Sequence, residues 1–151
     1  MKLLVLFLLS SFYFVADAKG ISKWLLLENK NSSSVYSLDK KSETLLVLQK
    51  SQDKKIEELN TKIASEYEES KRQVLKLAGI VDWKINHRQL TTTRMEWTGS
   101  YTNGRKELIY FFEVHMITTL KNEVHYLLTS RSPITDKMLT EVKGQEGEFI
   151  K

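Results

Sequence analysis

The sequence predicts an α+β domain: an antiparallel β-sheet covered by a long central helix on one face and a C-terminal helix on the other, an α/β/α sandwich. Three observations carry this expectation. Residues 107–131 are rich in aromatic and β-branched side chains and hold no Pro or Gly, so they read as a long hairpin. Residues 51–77 space their apolar side chains mainly at three- and four-residue steps, the signature of an amphipathic helix. The first hairpin strand is apolar on both sides. Leu108, Tyr110, Phe112, Val114 and Met116 share one face; Ile109, Phe111 and Ile117 lie on the other, with Glu113 and His115 between them. A strand open to water on one side does not carry Ile, Phe and Ile there.

The elements follow in order. Residues 21–28 are apolar and suit a first strand, and residues 35–38 a short second one after the turn cluster at 29–34. Residues 44–49 are short and apolar, readable as a buried strand or as the start of the helix. The helix is expected over 51–77, with Ser51 as its cap and Gly79 beyond its end. Its stripe is Ile56, Leu59, Ile63, Tyr67, Val74 and Leu77, with Ser70 as the weak point. From 80 to 102 the pattern turns to period two: Trp83, Ile85 and His87, then Met95, Trp97 and Tyr101, face one way. Gly99 marks a bulge or a close backbone approach, and residues 102–105 (TNGR) a turn. Within the hairpin, a midpoint at Lys121 sets Val114 against Leu128, Met116 against Tyr126 and Thr118 against Val124. A one-residue slip would mix apolar with polar partners. After Ser132-Pro133, Thr135 or Asp136 caps a last helix running to Ile150, weakened by Gly144 and Gly147.

Residues 1–18 read as a cleavable signal peptide: Lys2, an apolar core, then Ala16-Asp17-Ala18 as an A-x-A-like site. The segment is short for a membrane-spanning helix of about 20 residues. The mature chain is therefore expected to begin at Lys19 as a single domain, 19–151, in the bacterial periplasm or secreted beyond it, with no stable membrane anchor after cleavage. The chain has no Cys, so a lipid anchor on cysteine is excluded and stability must come from the core alone. The net charge of +4 comes from interspersed Lys and Glu, a solvated-surface pattern that argues against nucleic acid as a partner.

No residue pattern points to catalysis. The three histidines are His87, His115 and His125. In the register above, His115 and His125 are diagonal neighbours on one face with Glu113 close by, so they are read either as half-buried imidazoles under a helix or as part of a metal site. No H-E-x-x-H spacing, no G-x-S-x-G elbow and no phosphate loop is present, so no catalytic, cofactor-binding or metal residue is assigned and no cofactor is expected. The aromatics Trp83, Trp97 and Tyr101, rimmed by Arg88, Arg94 and Arg105, are candidates for gripping a protein partner, with core packing as the competing reading.

The element order, together with the run Val124 to Pro133 (VHYLLTSRSP) followed by a helix with an aromatic near its end, resembles the PsbP-like fold, which includes DcrB-type periplasmic proteins and Mog-type Ran-binding proteins. The resemblance spans residues 23–151. It implies a sheet covered by helices on both faces and a binding or assembly role rather than an enzyme. One departure is plain: DcrB-type proteins are typically lipoproteins, and this chain has no Cys to lipidate. The expected function is an exported, monomeric, non-catalytic protein acting through protein–protein contacts with a partner that the sequence does not identify. The alternatives are a periplasmic immunity-type protein, or a small metal-binding protein using His115 and His125.

Overall fold

Among the described residues, seven strands form one antiparallel sheet in the order β1-β2-β3-β7-β6-β5-β4. They are β1 (Leu25–Lys30), β2 (Ser33–Ser37), β3 (Thr44–Ser51), β4 (Lys84–Leu90), β5 (Arg94–Thr102), β6 (Leu108–Ile117) and β7 (Glu123–Ser130). The helices are α1 (Thr61–Leu77), α2 (Asp136–Gly144) and α3 (Glu146–Phe149). This is a computed structural model that describes residues 24–41, 43–51, 58–120 and 122–150. The expected signal segment 1–18, the mature start at Lys19, and also Ile56 and Lys121, lie outside the described residues. Among the described residues no helix is long and apolar enough to cross a membrane.

The α+β class and the antiparallel sheet are as the sequence predicts, and so is the two-sided burial of β6. Its even-numbered residues Phe112, Val114 and Met116 join Leu46, Leu48, Val124, Tyr126 and Leu128 in one cluster, to which α2 and α3 contribute Val142 and Phe149. The odd-numbered Ile109 and Phe111 join Met95, Trp97, Tyr101 and Trp83 in a second cluster, with Leu59 and Leu75 buried there and Ile63, Ala64 and Tyr67 packed against it. The sheet thus separates two cores, one against α1 and one against α2 and α3.

Three expectations need correction. The helix does not begin at Ser51. That residue ends β3, paired with Glu123 of β7, and α1 starts at Thr61, capped by the Asn60 side chain on the Ile63 amide. Pairing with β7 along all of β3 outweighs the local helical spacing, a tertiary override of a short ambiguous run. At the other end Leu77 is 84% exposed, so the stripe stops at Leu75.

The hairpin register is displaced by two residues along the partner strand: Phe112 faces Leu128, Val114 faces Tyr126 and Met116 faces Val124. A two-residue shift keeps every side chain on its face, so the buried set is unchanged. It does bring His115 directly opposite His125 rather than diagonal to it.

The C-terminal helix is two pieces. Thr135 caps α2, which ends at Gly144, and α3 restarts after Gln145. A short turn here lets Phe149 reach full burial beside Tyr126, at 5.2 Å between ring centres.

Two tight spots are built as the sequence suggests. A Cβ on Gly99 would lie 1.9 Å from the Lys84 carbonyl oxygen and 2.7 Å from the Phe111 ring, so only glycine lets β4 and β5 approach there. In the β5–β6 turn, Asn103 accepts from the amides of Arg105 and Glu107, and the positive φ falls on Lys106 at 63°.

Candidate functional site

The cluster of titratable groups lies in the middle of the α1 face. Glu113 sits at the centre of β6 and is fully buried. Strand alternation points it at α1, where Tyr67 and Lys71, one helical turn apart, reach down to it. The Lys71 Nζ donates to Glu113 Oε2 at 2.5 Å, and the Tyr67 hydroxyl donates to Oε1 at 2.9 Å. His125 Nε2 lies 2.8 Å from the same Oε1. Each carboxylate oxygen is therefore engaged, as an ionised group buried in a low-dielectric interior requires.

Burial alone would push the Glu113 carboxyl up. The Lys71 ammonium and the His125 hydrogen bond outweigh it and hold the group well below the usual carboxylate range. The Tyr67 hydroxyl is pushed well above its ordinary value by burial and by the Glu113 charge, so it stays a donor.

The two imidazoles stack with ring centres 4.0 Å apart and planes 19° from parallel. His115 Nδ1 meets Glu123 Oε1 at 3.1 Å, and His125 Nδ1 meets Gln49 Oε1 at 3.3 Å. Burial, and then the neighbouring His125, lower His115 to about 4. At neutral pH its one ring proton belongs on Nδ1, facing the Glu123 carboxylate, and Nε2 carries a lone pair. That Nε2 is buried without a hydrogen-bond partner, 4.0 Å from Glu113 Oε1. Tyr67 packs edge-on against His115 at 4.1 Å between ring centres and closes the cluster from above.

The residues singled out as a partner surface do not all lie on one face of the sheet. Trp83, Trp97 and Tyr101 are buried in the core against α1. Trp83 stacks on Phe111 at 5.8 Å with Arg72 above it, and Trp97 stacks on Tyr67 at 5.3 Å. Core packing is what the rings do. Of the arginines, Arg88 is exposed on the same side and forks onto Glu68 with bonds of 2.7 and 3.0 Å. Arg94 points to the opposite face, where it forks onto Glu146 of α3 at 2.8 and 3.0 Å and bonds Glu96. Arg105 is exposed in the β5–β6 turn.

What the structure leaves open is a groove between α1 and the β4 edge, lined among others by Ala64, Glu68, Arg88, Leu90, Met95 and Trp97. Glu68 joins it to the core: one oxygen also accepts from the Trp97 indole at 2.9 Å. The Arg88 guanidinium holds the Glu68 carboxyl below its ordinary range, against the opposing pull of burial.

Lys71 is the residue that sequence reasoning missed. Its signal was present: Ile63, Tyr67, Lys71 and Leu75 run at four-residue steps, so Lys71 occupies a stripe position. Glu113 likewise occupies an apolar position of β6. Two opposite charges, each where a hydrophobic residue was due, mark a buried pair.

No protein-family model matches the chain, and a search among curated proteins finds no match for it.

Proposed function

We propose that the protein is an exported, non-catalytic binding or assembly protein of the PsbP-like α/β/α type, working in the periplasm through contact with a protein partner. The observation that carries this reading is the division between closed chemistry and open surface. The titratable cluster around Glu113 is covered by α1, while the groove beside the β4 edge exposes Arg88 and Leu90, with Glu68 half-buried between Arg88 and Trp97. Turnover needs a substrate to reach the reacting groups; contact recognition needs only a shaped, charged surface next to a free strand edge. The A-x-A-like site after residue 18 and the lack of Cys support export of a soluble mature chain beginning at Lys19, and the resemblance in element order supports the assembly role.

The test is a photo-crosslinking residue at Gln89, in the groove lining, in the full chain expressed at native level. A discrete adduct, lost in R88E and kept in a variant of the exposed turn such as R105E, is the expected result. Absence of an adduct from Gln89 and from positions around the groove refutes the reading. Mass spectrometry of the same sample reads the export claim: a chain that retains residues 1–18 contradicts it.

A further inference from the structure

We propose that Glu113, His115 and His125 form a binding site for one divalent transition-metal ion of the zinc class. The ligand atoms of these three buried residues all lie within 4.8 Å of one another. Two imidazole nitrogens and one carboxylate oxygen make the donor set that zinc-class ions take in three-ligand sites, with a fourth position left for water.

Proximity alone would be weak. The orientation of the rings carries the inference. A metal-ligating histidine hands its other N–H to an oxygen acceptor, which fixes the tautomer and aims the free nitrogen. Both rings are held this way. His115 turns Nδ1 to Glu123 Oε1 and His125 turns Nδ1 to Gln49 Oε1. Both therefore aim Nε2 at the same oxygen, Glu113 Oε1, at 4.0 and 2.8 Å. His115 Nε2 is buried there with no donor facing it. A buried lone pair without a partner is uncommon in folded proteins and calls for a reason; an incoming cation is one. His125 Nε2 lies 2.8 Å from Glu113 Oε1, with the ring's Nδ1 on Gln49 Oε1. The ion enters between Nε2 and Oε1, leaving the single His125 ring proton on Nδ1 toward Gln49.

Lys71 sets the terms of binding. Its ammonium neutralises Glu113 through Oε2, leaving Oε1 to the Tyr67 hydroxyl and the imidazole side. Lysine and metal thus share one carboxylate from opposite ends, and the lysine weakens the site by charge repulsion. Tyr67 and Lys71 also cover the cluster, so the ion enters when α1 lifts, and loading is slow.

The test uses the full exported chain, stripped with chelator, and titrated with Co2+ or Zn2+ alone. The expected result is saturation at one Co2+ per chain with the intense visible absorption of a four-coordinate centre, and displacement of Co2+ by Zn2+. H115Q and H125Q abolish that spectrum. E123Q and Q49A, which leave the ligands in place, weaken binding by about 10- to 100-fold. K71M gives the readout that a purely structural cluster would not: with the lysine gone the metal becomes the counter-charge of Glu113, so Zn2+ raises the melting temperature of K71M by more than that of the wild type. If a histidine variant fails to fold, the wild-type spectrum, E123Q and K71M still decide. No four-coordinate Co2+ spectrum from the wild type, or a spectrum unchanged in E123Q and Q49A with equal Zn2+ shifts in K71M and wild type, overturns the proposal. The partner-binding role stands or falls separately, since the groove residues take no part.

Discussion

The two faces of the sheet are built from the same strands but held by different physics. Against α2 and α3, β6 presents Phe112, Val114 and Met116, which meet Leu46, Tyr126, Leu128, Val142 and Phe149. Of the charges of that face, Arg94, Lys143 and Glu146 are partly exposed at its rim, and Glu96 is buried beneath Arg94 and Lys143, which pair with it. Against α1, the same strand puts Glu113 and His115 in the middle, between Phe111 and Ile117. The first face is stabilised by apolar area, which is non-directional and degrades gradually as atoms are removed. The second depends on every partner being present, because an ionised carboxylate with nothing opposite it is heavily penalised in an apolar interior. A polar core is thus a commitment to one arrangement, whereas an apolar core tolerates approximate ones.

The largest effect expected from this contrast is on the α1 face. Lys71→Ala strips the ammonium from Glu113 and leaves a buried charge short of its main partner. A loss of about 3–5 kcal/mol is expected for breaking such a pair from one side. The double variant Lys71→Met with Glu113→Leu removes both charges while filling the space, and should recover much of that loss. Urea melts of metal-free protein compare the two. A double variant no better than the single would show that the pair itself, not the uncompensated charge, supplies the stability.

On the other face Leu128→Ala should cost about 2–5 kcal/mol, the range for a fully buried leucine whose site relaxes only in part. Here no second substitution is needed to interpret the result. A loss under about 1 kcal/mol in denaturant melts would contradict the complete burial of Leu128.

The faces should also separate with pH. Burial holds His115 down to about 4 from its ordinary value near 6.5. Between those values the unfolded chain binds a proton that the folded chain refuses, so stability falls as pH drops through this window. Glu113 adds to the loss at lower pH. Its folded value is depressed, so its contribution is present above the ordinary carboxylate range and is lost as pH falls below it. Metal-free wild type should therefore lose stability from about pH 6.5 downward. The slope between pH 6.5 and 4 should lessen in His115→Phe. An unchanged slope in that variant would locate the acid sensitivity elsewhere.

How far the sequence reveals these faces depends on the kind of information each needs. Two-sided burial of β6 was readable because apolar residues at both parities have one explanation. The register was not. Matching Val114 to Leu128 and matching it to Tyr126 are equally apolar, since a shift by two preserves the face. What decides between them is the turn, where the Thr118 amide bonds the Asn122 carbonyl. The start of α1 was hidden for a related reason: β3 continues through Ser51 because β7 lies alongside, and a partner 72 or more residues away leaves no local mark. The ion pair was half-visible, as two charges in apolar stripes, but its members are 42 residues apart and only the fold brings them together. The rim was invisible in the same way. Arg94 reads as a solvent-side charge of β5, and its fork onto Glu146 depends on where α3 restarts.

The smallest effect lies at the edge of the α1 face, where the two kinds of core meet solvent. Glu68 accepts from exposed Arg88 on one side and from the indole of buried Trp97 on the other. The Arg88 side chain is 53% exposed, so its pair with Glu68 is screened and contributes at most about 1 kcal/mol. Arg88→Ala should therefore barely move the melting curve. Glu68→Ala removes the same ion pair and also strips the Trp97 N–H of its acceptor. A buried donor left unpaired costs about 1–3 kcal/mol, more than the pair itself. The double variant should then resemble Glu68→Ala alone, because Arg88 acts on stability only through Glu68. If instead Arg88→Ala equals Glu68→Ala, the guanidinium is what holds the carboxylate under the indole, and the ordered core reaches out to the groove. If both are silent, water replaces the carboxylate at Trp97, and the ordered core ends at Tyr67, inside the groove rather than at its surface.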